Sequence, residues 1–400
     1  MNTLFSRGMA KATELTRSGK LLEATEMIQS LLQRPAPKVE KPLPAEAGDV
    51  IDGDVIRLGS DNSAPEAATS KTGRAGRQSA IPKNRLSETL RKIAAGGMPV
   101  RYPLTGSVNP VPDGAQFLSL THSAAQGSRG YRLYIPAHRQ AGPMPLIVML
   151  HGCTQTPEDF AAGTGMNALA EEFGCMIAYP AQPSGANAQK CWNWYRPEDQ
   201  ARDRGEPALI AGLTRAIWRD QNADPARTYI AGLSAGGAAA AVMAAVYPDI
   251  FSAVGVHSGL AAGSAQDIPQ AFAAMRSGSK GRPHRTIVPT IVFHGLADST
   301  VHPDNGTAVL AQALQAMPGL RATTHQGVAD GGHRYRTTAH HHPDGRSFAE
   351  HWQIEGAGHA WAGGHAAGSY TDPKGPDASR QMLRFFLQHA KDEAGVPSIF

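Results

Sequence analysis

A serine hydroxyl attacks a carbonyl only when a base can take its proton and amide donors stand ready for the charge that develops. The run Tyr229-Ile230-Ala231-Gly232-Leu233-Ser234-Ala235-Gly236-Gly237 has a form that meets the second need. It reads as a short apolar strand, a tight turn at Ser234 and a helix that starts at once, continued by the small residues 238–245. Gly232 and Gly236 let the backbone pass where side chains would collide with strand and helix. The serine is then raised above the sheet, and the Ala235 amide lies at a helix N-terminus, where unpaired N–H groups favour an anion. A Gly/Ser-rich turn without chemistry has the same pentapeptide, so the partners decide.

Sixteen histidines compete to be the base. His359 is selected because it follows Asp298 in the chain order Ser, Asp, His and sits in a glycine-flanked loop after a predicted strand over 348–354. His257, at the end of the strand after the serine's helix, precedes Asp298 and is read as site wall or structural residue. His294 is expected to shape the loop that presents Asp298. The aspartate would accept the imidazole N–H, fix its tautomer and stabilise the imidazolium. Its competing reading is a turn or capping residue before Ser299-Thr300-Val301, with Asp304 as the nearest rival. A second oxyanion donor is expected from the loop after 145–150, as the N–H of Cys153 or of Thr154. The run His340-His341-His342 beside Asp344-Gly345 is expected in a polar surface loop, and no phosphate cradle, CxxC pair or HExxH helix occurs. No metal and no cofactor is expected.

Among the elements that hold these residues, apolar or alternating runs at 132–135, 145–150, 176–179, 228–231, 253–256 and 291–293 predict strands. Helical patterns at 157–173, 207–221, 235–247 and 307–317 lie between them. Strand and helix in alternation imply an α/β fold with a mainly parallel sheet covered on both faces, and its sites lie at the carboxyl ends of strands. Cys153, Ser234, His257 and Asp298 all fall there. The aromatic run Cys191-Trp192-Asn193-Trp194-Tyr195 has two readings, a substrate wall beside the cleft or a buried loop anchor. Trp361, two residues after His359, is expected to border the acyl pocket.

The chain has 400 residues, 41% hydrophobic, enough for a large core. Its net charge of +4 comes from scattered basic residues, which leaves no nucleic-acid footprint. No apolar run nears the ~20 residues that cross a bilayer. Residues 1–34 predict a helical hairpin around Ser18-Gly19-Lys20, read equally as a small cap or as a self-association or polymer-granule docking element. Residues 35–100 are rich in Pro, Gly and Ala and predict a flexible linker, followed by a catalytic domain over 101–392 and a tail over 393–400. With no apolar signal segment at its start, the chain is expected in the cytoplasm.

The set His151-Gly152-Cys153-Thr154-Gln155, Cys191-Trp192-Asn193-Trp194, Gly232-Leu233-Ser234-Ala235-Gly236-Gly237, His294-Gly295-Leu296-Ala297-Asp298 and Gly356-Ala357-Gly358-His359-Ala360-Trp361 resembles the polyhydroxybutyrate depolymerase family of esterases over about residues 132–390. The resemblance implies the α/β-hydrolase fold and kinship with feruloyl and acetylxylan esterases. It also implies a triad of Ser234, Asp298 and His359, with oxyanion amides at Cys153 and Ala235. Trp192, Trp194, His257 and Trp361 are the expected substrate contacts. Cys153 and Cys191 are then either a disulfide bracing this loop or two reduced thiols. The expected reaction is serine-dependent hydrolysis of 3-hydroxyalkanoate esters. Alternatives are a feruloyl, acetyl or small-ester esterase, a serine peptidase, and a non-catalytic granule-associated protein. Relatives of this family are often extracellular, which is the alternative location.

Overall fold

Strands buried on both faces need near-continuous apolar sequence, and such strands form the middle of this fold. The computed structural model describes residues 111–139, 141–283, 288–315 and 317–391. The expectations for 1–34, 35–100 and 393–400, and for both ends of the catalytic domain at 101 and 392, lie outside the described residues. In chain order the elements are β1 (Gln116–Ala124), β2 (Gly127–Ile135), β3 (Met144–Leu150), α1 (Pro157–Thr164), α2 (Met166–Phe173), β4 (Met176–Pro180), α3 (Gly205–Gln221), β5 (Ala223–Leu233) and α4 (Ala235–Val246). Then come β6 (Ala253–His257), α5 (Ile268–Ser277), β7 (Thr290–Gly295), α6 (Asp304–Leu314), β8 (Arg321–Val328), β9 (Arg334–His341), β10 (Ser347–Ile354), the short β11 (Trp361–Ala362) and β12 (Thr371–Asp372), and α7 (Ala378–Phe386).

Ten strands make one sheet in the order β1-β2-β4-β3-β5-β6-β7-β10-β9-β8. From β4 to β10 every neighbour is parallel, while β1–β2 on one side and β8–β9 on the other are antiparallel hairpins. Side chains alternate between two cores. Leu146, Val148, Ile230, Val254 and Val292 pack toward Ile210, Leu213 and Ile217 of α3 and the alanines of α4. Ile147, Met149, Tyr229, Ile291 and Phe293 pack toward Phe160 of α1, Met166 of α2, and Met382 and Phe386 of α7. Among the described residues no helix is long and apolar enough to cross a membrane.

Two local expectations are corrected. The single helix over 157–173 is two, because Gly165 turns left-handed (φ 65°) and its N–H closes α1 on the Ala161 carbonyl. The histidine run is not a surface loop. His340 and His341 lie in β9, opposite Ala322 and Arg321, and His342 is buried edge-on against Phe348. The edge of β10 is thus completed by a strand, which pairs backbone groups that a loop would leave open. No cluster of three metal-ligating side chains occurs among the described residues.

Candidate active site

Ser234 stands between β5 and α4 with φ 58° and ψ −119°, a conformation that a non-glycine residue holds only where its surroundings impose it. The Ser234 N–H donates to the His257 carbonyl at 2.9 Å. A Cβ on Gly236 would overlap the carbonyls of Leu150 and His151, and one on Gly232 would overlap Gly236 itself. Both glycines are therefore needed for close approach. Ala235 is the first residue of α4, so its N–H has no acceptor within the helix.

The loop after β7 carries Asp298, which is 5% exposed. Its Oδ1 accepts from the amides of Thr300 and Val301, each at 2.9 Å, and its Oδ2 accepts from His359 Nδ1 at 2.7 Å. A carboxylate can only accept, so Nδ1 carries the imidazole proton and Nε2 is left as a base. His359 is 13% exposed, and Ser234 Oγ makes no hydrogen bond to it among the described residues. The acid and base loops are sewn together by Leu296 N–H to Ile354 O (2.8 Å) and Ala297 N–H to Ala357 O (3.0 Å). His294 Nε2 donates to Val301 O at 2.9 Å and lies 3.5 Å from Asp298 Oδ2, which fits its expected loop-shaping place. Burial works against charge on Asp298, but hydrogen bonds from His294, His359 and Val301 outweigh it and hold the carboxyl far below its usual range.

Cys153 and Cys191 are joined by a disulfide, and Cys175 is a buried free thiol. The Thr154 N–H is used by Gln189 O at 2.7 Å, whereas Cys153 N–H has no acceptor among the described residues. Of the two expected second donors, Cys153 is the one left open. The loop is braced from both sides. Gly152 N–H donates to Gln155 Oε1 (2.8 Å), and His151 Nε2 accepts from Gln182 N–H (3.1 Å). Sequence reading missed a buried network behind it. Glu206 accepts from the backbone and side chain of Asn193, each at 2.8 Å, and from Gln182, whose carbonyl accepts from Arg129. Burial pushes the Glu206 carboxyl up and the Arg129 guanidinium down, and the two charges partly offset this. One glutamate at a helix start and one distant arginine carry no local signal that could have revealed the pair.

Of the four expected substrate contacts, Trp192 and His257 take the anchor and structural places that the sequence also leaves open, Trp361 is corrected from a pocket border to a core residue, and Trp194 is buried no more deeply than Asp298. Trp192 is wholly buried, its Nε1 donating to His151 O at 3.0 Å with the Arg129 guanidinium over its ring. Trp194 is 6% exposed and packs edge-on to Tyr195. Trp361 is 1% exposed and donates to Ser379 Oγ. The His257 ring is sandwiched between Phe293 and Trp361, and its Nε2 accepts from Ala362 N–H at 2.9 Å. With Nε2 occupied, His257 clamps the end of β11 and has no free base to offer. For Trp192, Trp361 and His257 the polar edge meets a backbone or hydroxyl partner inside the core, which makes them anchors.

A parallel sheet whose middle strand turns sharply into a helix at a serine, with an Asp–His pair borne on the next loops, defines the chain as an α/β-hydrolase-type carboxylic ester hydrolase. The fold comparison agrees: the acetyl xylan esterase from Aspergillus awamori superposes with a TM-score of 0.53 at 20% identity, over 68% of this chain and 98% of that one. More narrowly, residues 129–331 match the family model described as Esterase PHB depolymerase, and the chain belongs to that family. It is 32% identical over 293 residues to "Poly(3-hydroxyalkanoate) depolymerase C" of Paucimonas lemoignei, covering 69% of this chain and 68% of that protein. It is 31% identical over 201 residues to "Feruloyl esterase B" of Neurospora crassa, covering 45% of this chain and 67% of that protein.

Proposed function

We propose that this chain hydrolyses ester bonds between 3-hydroxyalkanoate units through an acyl-enzyme on Ser234. The observation that carries the mechanism is the His359 Nδ1–Asp298 Oδ2 bond of 2.7 Å, which leaves Nε2 unprotonated. His359 takes the Ser234 proton as Oγ attacks the carbonyl, and Asp298 stabilises the imidazolium. The oxyanion receives the N–H groups of Cys153 and Ala235. His359 then gives its proton to the departing alkoxide, and water releases the acid by the same steps in reverse. The 32% identity to a relative named for poly(3-hydroxyalkanoate) supports the substrate class.

The test is acid release from amorphous poly(3-hydroxybutyrate) and its soluble trimer by wild type and Ser234→Ala, with a simple acetyl ester as reference. Polymer or trimer cleavage abolished by the substitution is expected. Cleavage of the acetyl ester alone would transfer the reading to a small-ester esterase, and activity unchanged in Ser234→Ala would remove the site assignment.

A further inference from the structure

We propose that a cavity beside the Cys153 loop binds the free carboxylate end of an oligoester, so that scission is counted from that end. The inference rests on the ester-hydrolase reading above and deepens it. The cavity holds about 290 Å³, and its charged or hydrogen-bonding side chains include Arg132, Gln155, Glu158, Gln182 and Lys190.

Register places it at the reacting end of the sheet. Leu150 pairs with Gly232, two residues before Ser234, and Val148 pairs with Ala178, so residues 155–158 and 181–183 lie beyond the carboxyl ends of β3 and β4. In β2, Tyr131 pairs with Pro180, which brings residues 130–132 to the same end. Ser234 directly follows β5, and β3, β4 and β2 come in order on that side. Two to three strand spacings put the cavity about 10–14 Å from the serine's strand. The loop that offers the Cys153 amide is its wall. Gln155 receives the Gly152 N–H, Thr154 N–H is held by Gln189 O, and Lys190 adjoins the disulfide-bonded Cys191.

Its charge selects an anion. Arg132 is already engaged, donating to Phe117 O at 3.1 Å and lying 3.5 Å from Glu158. Lys190 has no carboxylate partner among the described residues, so one positive charge faces the cavity uncompensated. Its field reaches the loop: after burial, which dominates, Lys190 is among the groups that push the His151 imidazole down to about 4. A hydroxy-acid chain carries one charge, the carboxylate at its acid end, while its ester carbonyls are neutral. A three-atom peptide unit spans about 3.3–3.6 Å extended, so a four-atom hydroxyalkanoate unit spans about 4.5 Å. The carboxylate in the cavity and the scissile carbonyl at Ser234 are thus two to three units apart. In that cleavage the Ser234 Oγ–acyl bond forms and the acyl–O bond of the ester breaks. The serine proton passes through His359 to the departing oxygen, and the fragment that leaves bears the carboxylate.

The experiment compares the 3-hydroxybutyrate tetramer as free acid and as its N-methylamide, at neutral pH, using the full chain as wild type, Lys190→Gln and Glu158→Gln, with Ser234→Ala as control. Wild type is expected to favour the acid by about fivefold in kcat/KM, through KM, and to release dimer or trimer from the acid end. Lys190→Gln should bring the ratio close to one, and Glu158→Gln should raise it. A wild-type ratio near one, or a ratio that Lys190→Gln leaves in place, would overturn the inference while the hydrolase reading stands. Absence of any Ser234-dependent cleavage of either compound would overturn the hydrolase reading, and this inference with it.

Discussion

Asp298 spends its two oxygens on different tasks. Two backbone amides fix Oδ1, which sets the plane of the carboxylate, and Oδ2 is left to His359 with His294 standing 3.5 Å behind. A carboxyl held far below its usual range stays charged throughout the pH range in which the protein folds, so it can oppose the imidazolium at every turn of the proposed cycle. Asp298→Asn keeps the shape and replaces the acceptor facing Nδ1 with an amide that can present N–H. The imidazole proton then moves to Nε2, the atom that must accept from Ser234. We expect kcat on a soluble ester to fall by roughly 10³–10⁴-fold, with KM changing much less. A loss below tenfold in a folded variant would take Asp298 out of the machinery.

Element ends, more than side chains, set the distances between loops. The Cys153 loop leaves β3 beside the serine turn, and the disulfide to Cys191 fastens it to the stretch that Trp192, Asn193 and Glu206 anchor inside the core. The two cysteines are 38 residues apart in sequence, and closing a loop of that size stabilises the fold by about 3–4 kcal/mol on the chain-entropy account. The double substitution Cys153→Ser, Cys191→Ser should lower the thermal midpoint accordingly. It should also reduce kcat more than it raises KM, because a looser loop misplaces an oxyanion amide without removing it. Denatured protein should show one titratable thiol, Cys175, and three after reduction. Disulfides persist in oxidising compartments, so three thiols before reduction would remove the brace and favour the cytoplasmic location expected from the sequence.

Across the whole molecule, what could be read in the chain was what is encoded locally. The apolar runs of β3, β5, β6 and β7 and the paired glycines around Ser234 state their own structure, and the order of Ser234, Asp298 and His359 follows from the strand order. The hairpin β8–β9 escaped because β8 is solvent-exposed along almost its whole length and shows no alternation to detect. The places of Trp192, Trp361 and His257 stayed undecided in the sequence for another reason: an aromatic has the same sequence signature facing a cleft or the core, and the partners that decide, His151 O, Ser379 and Ala362, are not its neighbours in the chain. Buried histidines give the fold a property that only the assembled molecule has. Burial pushes His151 and His389 down to about 4 and His257 and His351 down to about 3, with nearby positive groups adding to this. An unfolded chain protonates the same side chains near pH 6.5. Between those limits the unfolded state binds more protons, so stability falls as pH falls, by up to about 1.4 kcal/mol per pH unit for each histidine. Lys391, pushed down to about 7 by burial, acts with the same sign at higher pH, but as a single group. Thermal midpoints measured from pH 9 to pH 4 should therefore decline gently to pH 7 and steeply from pH 6.5 to pH 4. A flat profile over the lower interval would mean that the four imidazoles take up protons in the folded state, and hence that they are not sealed from water as the two cores on either side of the sheet require.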